Sequence, residues 1–202
     1  MEKELPIYRL EIMEDEESNI EVDFVALVDR PAIERSFLAF AEQTKLDRIK
    51  FEIQDEEERI ISGPLMLADT PIYRYDSSGE YYVVFTADTI KKIAQKYFKK
   101  GYQSNVNLMH DNGQVVDGVT MFESWIVDEK RGIKPMKGFE DVKDGSWFGS
   151  FKVENDDVWE LVKDGKVKGF SVEGIFNYKS YGISNPQKMM ADIIEILKQV
   201  SS

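Results

Sequence analysis

The sequence predicts an α+β fold in which short, mostly antiparallel strands form a barrel or a sandwich with helices set around it. Three observations lead there. Apolar segments rich in β-branched and aromatic residues recur at short intervals between Gly, Asp and Lys turns. Ahead of residue 180, only two segments carry a helical stripe. The βαβ alternation that builds a parallel sheet is missing.

In chain order, residues 7–28 read as two strands, IYRLEI and VDFVALV, on either side of an acidic loop at 14–18. Asp29-Arg30-Pro31 is a turn, because proline fixes its own φ and restricts the residue before it. Residues 51–67 read as a second strand pair with the charged run 55–58 at its tip, and 81–85 (YYVVF) as a strand by composition. Ile90, Ile93, Ala94, Tyr97 and Phe98 then share one helical stripe, which Thr86 or Asp88 caps and Gly101 ends. Strands follow at 106–109, 119–127 and 147–153. Asn155 opens a second helix, with Asp156 and Asp157 in its first turn and Val158, Leu161 and Val162 facing inward, up to Asp164-Gly165. Residues 170–176 form a last strand. A linker at 180–186 (SYGISNP) leads to an amphipathic helix at 187–200, so a domain over 1–179 carries an appendage over 180–202.

Composition removes most chemistries. The 202 residues are 42% hydrophobic and 12% aromatic, enough for a core. A net charge of −12 repels phosphate backbones and no basic stripe offsets it, so no nucleic-acid partner is expected. No long apolar run and no basic-then-apolar start are present, so neither a membrane span nor a secretory signal is expected. Zero cysteines exclude thiol catalysis and thiolate metal sites, and a single histidine argues against a zinc centre. No phosphate-binding glycine loop is present, so no cofactor and no metal are expected. Serine chemistry, carboxylate chemistry or a purely binding role remain, and no paired-carboxylate motif singles out a glycosidase.

Two segments could carry a serine mechanism. Asn107-Leu108-Met109-His110-Asp111 sets the lone histidine between an apolar strand and a polar turn, at a sheet rim. Gly169-Phe170-Ser171-Val172-Glu173-Gly174 sets a small polar residue among apolar ones with glycines on both sides, as exposed nucleophiles and their oxyanion amides often require. Read singly, these are a rim histidine and a strand serine. The second segment is not the G-x-S-x-G elbow, since its second glycine comes one residue late. Trp125, Trp147 and Trp159 read as core or interface aromatics.

Taken together, the segments resemble the phage prohead serine proteases, and most closely their XkdF-like branch. The resemblance rests on the order His110 then Ser171, on V-D-F-V-A-L-V-D-R-P-A-I near the start, on F-E-S-W-I-V-D at 122–128, and on G-S-W-F-G-S-F-K-V followed by W-E-L-V-K-D-G-K-V-K-G-F-S over 145–171. It implies an assemblin-like fold, a β-barrel surrounded by helices. It also implies peptide-bond hydrolysis inside the immature prohead in the host cytoplasm. Scaffold, capsid-protein extensions and the protease's own tail are the implied substrates, and a homodimer follows from the assemblins. Ser171 matches the nucleophile and His110 the base. Assemblins add a second histidine after the serine, which this chain lacks, so a carboxylate or carbonyl must orient His110. Glu123 ranks first, on a hairpin between 106–109 and 119–127. Glu173, two residues after Ser171 on the same strand face, is its rival, and Asp111 would point away. The alternative function is a non-enzymatic scaffold or capsid-associated assembly protein on a protease-like fold.

Overall fold

A computed structural model describes residues 7–10, 21–29, 51–76, 79–111 and 114–175. The acidic loop at 14–18, Arg30-Pro31, and the linker and helix expected over 180–200 lie outside the described residues.

The described chain runs β1 (Ile7–Leu10), β2 (Glu21–Val28), β3 (Glu52–Asp55), β4 (Ile60–Met66), β5 (Ile72–Asp76) and β6 (Gly79–Phe85), then helix α1 (Ala87–Lys100). After it come β7 (Val106–Leu108), β8 (Val119–Ile126), β9 (Trp147–Val153), helix α2 (Asp156–Lys163) and β10 (Gly169–Ile175). The α+β class holds. Hydrogen bonding divides the described strands among three sheets, ordered β1-β6-β5, β10-β2-β7 and β3-β4-β9-β8, and among the described residues none closes into a barrel. Between the last two sheets, residues flanking the strands make backbone bonds, from Phe51 N–H to Lys168 O (2.9 Å) and from Val116 N–H to Val106 O (2.7 Å). Most ladders are antiparallel, but β1 runs parallel to β6 and β7 parallel to β2. The two strands expected over 7–28 therefore do not pair with each other.

The helices form where local chemistry dictates. Thr86 Oγ1, not Asp88, caps α1 by accepting from Thr89 N–H, and Gly101 closes it in the left-handed conformation. Ile90, Ile93, Ala94 and Tyr97 are buried, whereas Phe98, one step round the stripe, is 37% exposed. Asn155 Oδ1 caps α2 by accepting from Val158 N–H, and Val158, Trp159 and Val162 are buried. Trp147 is fully buried and edge-on to Tyr97, its Nε1–H donating to Ser124 Oγ at 2.7 Å. Trp125 stacks on Phe148 over a smaller second cluster. Removing a buried Trp of this kind costs about 3–5 kcal/mol. No helix of the described residues is long and apolar enough to cross a membrane.

Candidate active site

The site lies on the sheet β10-β2-β7. Register places Ser171 beside Ala26 and Ala26 beside Asn107, so these three residues share one face. Glu173, beside Phe24, belongs to the same face by the two-residue alternation of a strand. The neighbours Phe170, Leu27, Val25 and Val106 belong to the main hydrophobic core and hold the opposite face there. Alternation alone thus turns Ser171, Glu173 and Asn107 away from the core.

His110 reaches this face through a strained turn. After β7 the chain passes through Met109 (φ 53) and His110 (φ 61), and Asp111 N–H bonds back to Leu108 O at 3.0 Å. Two successive left-handed residues closed by that bond make a turn of the I′ kind. Non-glycine residues there cost about 1–2 kcal/mol each. Met109 offsets part of this: its N–H bonds Leu27 O at 3.0 Å, and its Sδ accepts from Asp29 N–H at 3.4 Å.

The carboxylate on His110 is Glu173. His110 Nδ1 lies 2.8 Å from Glu173 Oε1, and the same oxygen accepts from Asn107 Nδ2 at 2.9 Å. Exposure grades across the group, from Ser171 at 6% to the Glu173 side chain at 18% and that of His110 at 47%. The histidine is the wall that meets solvent. Glu123, ranked first from sequence, is exposed on β8, where it pairs with Ser150 of β9 in a different sheet. The expected hairpin between β7 and β8 does not form: β7 is an edge strand whose ladder partner is β2, and β8 pairs with β9, with Val116 N–H to Val106 O the backbone bond ahead of β8. Glu173, the rival, thus replaces Glu123 as the partner of His110. Asn107 had no role assigned from sequence. The available signal was a polar amide inside an otherwise apolar strand, three residues before the histidine.

A family model described as "putative phage serine protease XkdF" matches residues 48–179, more than half of the chain. The chain belongs to this family. Asn107, His110, Ser171 and Glu173 all fall within the matched segment, while β2, the centre of their sheet, precedes it. The chain is 25% identical over 163 residues to the phage-like element PBSX protein XkdF of Bacillus subtilis (strain 168), covering 77% of this chain and 53% of that protein. It is 26% identical over 161 residues to the uncharacterized protein YqbD of the same organism, covering 77% and 45% respectively. The chain spans about half the length of the curated relatives it matches. No solved structure matches it.

In this XkdF-family chain a bulge follows the carboxylate directly. The β10–β2 register steps from Glu173↔Phe24 to Gly174↔Val22, so Asp23 is the extra residue. A Cβ on Gly174 would lie 1.7 Å from Glu21 O, so only glycine fits this approach of the strands. Glu21 is clamped by Lys100 Nζ (2.6 Å), Tyr102 OH (2.7 Å) and Lys96 Nζ (3.2 Å). Burial pushes its carboxyl up, but these donors together outweigh burial and hold it at about 2. The Asp23 carboxyl is pushed above its usual range, first by burial and then by repulsion from Glu21 and Glu173, against an opposing backbone hydrogen bond.

Proposed function

We propose that this chain is a serine endopeptidase of phage assembly, with Ser171 as nucleophile, His110 as general base and Glu173 as the carboxylate that orients the base. The observation that carries the reading is the Glu173 Oε1–His110 Nδ1 contact, made on the sheet face that holds Ser171. It occupies Nδ1 and leaves Nε2 as the nitrogen available to a hydroxyl. Ser171 Oγ attacks the scissile carbonyl while Nε2 takes its proton. The imidazolium, steadied by Glu173, returns that proton to the leaving amine, and water then releases the acyl group by the same steps in reverse roles.

The substrates in this reading are scaffold, capsid-protein extensions and the chain's own segment near 180–188, cut inside the immature prohead by a homodimer. Family membership supports a phage serine protease. The test pairs labelling by a fluorophosphonate probe with cleavage of co-expressed scaffold, for the parent, Ser171→Ala and His110→Ala. The parent is expected to label and cleave, and neither variant to do so. Equal processing by all three refutes the proposal and leaves the non-enzymatic assembly role.

A further inference from the structure

We propose that Asn107 is a positioning residue, which holds the Glu173 carboxylate in the plane that His110 needs. This rests on the serine peptidase reading for its effect on rate, but its geometry stands apart from it. Asn107 is 1% exposed and its Nδ2–H donates to the same Glu173 oxygen that faces His110 Nδ1. One segment, Asn107 to His110, therefore supplies both partners of that oxygen, one from a paired strand and one from a turn. The strand donor is the fixed one. A carboxylate held by His110 alone could swing with the ring, whereas a second donor anchored in a sheet ladder removes that freedom.

The rest of the amide shows that packing does not account for it. Among the described residues Asn107 Oδ1 is buried without a hydrogen-bond partner, an arrangement that costs stability. A leucine of similar size would fill the space without leaving that acceptor unmet. The Nδ2–H directed at Glu173 is the one thing leucine cannot supply.

The experiment uses the full chain and exploits its single histidine. Asn107→Leu, with Asn107→Ala as a second variant should the first fail to fold, is compared in the parent and in a Glu173→Ala background. Fluorophosphonate labelling of Ser171 is expected to slow on the order of ten- to a hundredfold in the parent background, the scale of a small misplacement of a catalytic group. In the Glu173→Ala background the same substitution is expected to change the rate less than about twofold, since its route of action is already gone. Nitrogen-15 spectra of the neutral imidazole read geometry without activity: Nδ1–H in the parent, a mixture of tautomers in the Asn107 variants. Equal slowing in both backgrounds with an unchanged tautomer overturns the proposal and makes Asn107 merely structural. A parent that never labels, yet whose tautomer depends on Asn107, upholds the positioning role and sinks the peptidase reading instead.

Discussion

Replacing Gly174 by alanine puts the site's architecture under a sharp test. A methyl group there would lie 1.7 Å from Glu21 O, 2.7 Å from Glu21 C and 2.8 Å from Val22 Cα, all backbone atoms that cannot rotate away. Non-bonded carbons sit at about 3.5 Å, so β10 and β2 must part by roughly 1.5–2 Å at this point. That separation strains the bulge and disturbs Val22 in the core, at a cost of about 3 kcal/mol or more. Glu173 is the adjacent residue and moves with the strand. Its 2.8 and 2.9 Å contacts to His110 and Asn107 would stretch beyond hydrogen-bond range, slowing Ser171 labelling on the order of a hundredfold. Gly165→Ala is the control. Gly165 also sits at positive φ (64) but has nothing within 4 Å of an added Cβ, so only backbone strain of about 1 kcal/mol applies and labelling is retained. Urea unfolding followed by tryptophan fluorescence measures the first quantity and probe kinetics the second. If Gly174→Ala loses no more stability than Gly165→Ala and labels at the parent rate, the account of the bulge is refuted.

Three further outcomes follow from the same geometry. Glu123→Gln should label at the parent rate while Glu173→Ala slows by roughly a hundredfold or more; the reverse order in the same probe assay restores Glu123 as the orienting group. Glu21 is held at about 2 against an ordinary 4.5, so its stabilisation, on the order of 3 kcal/mol, is fully present above that ordinary value and fades as pH falls toward 2. Glu21→Gln should therefore flatten the acid limb of stability against pH in urea titrations, and an unchanged limb would dispose of the clamp. Asp23 carries the opposite sign: its raised value means that stability is lost as pH rises through it. Asp23→Asn should raise the urea midpoint at neutral pH and leave it unchanged in acid.

What was legible in the sequence divides by range. Both helices were readable because their determinants are local: Thr86 and Asn155 present cap oxygens to N–H groups three residues away, and Gly101 takes the left-handed close. The strands at 106–109, 119–127 and 147–153 were readable from composition and reappear as β7, β8 and β9 within a residue at their ends. β5 was missed although Tyr73 and Tyr75 alternate with Arg74 and Asp76 and its Ile and Tyr are strand formers. Partner choice was not legible at all. β2 lies between β7 and β10, which follow it by about eighty and about one hundred and fifty residues, and no local signal encodes that register. The ranking of Glu123 over Glu173 rested on an imagined hairpin. Alternation along β10 already placed Glu173 with Ser171, and that one-strand inference needed no partner.

The strained turn shows how a histidine at the end of one strand meets a carboxylate on another. Had β7 continued as regular strand, alternation would set Asn107 and Met109 on the site face, and Leu108 and His110 toward the core. His110 would then sit on the wrong side of the sheet. The left-handed pair at Met109 and His110 breaks that alternation, and both Asn107 and His110 come to the same oxygen of Glu173. A glycine at either position would relieve the strain, but at 110 it would remove the imidazole that meets Glu173, and at 109 it would remove the thioether that accepts Asp29 N–H. The bonds from Met109 N–H to Leu27 O and from Asp111 N–H to Leu108 O hold the conformation from both sides. Strain, its compensation and the face switch occur in the same two residues, as expected where backbone geometry is held away from its local preference for the sake of a site.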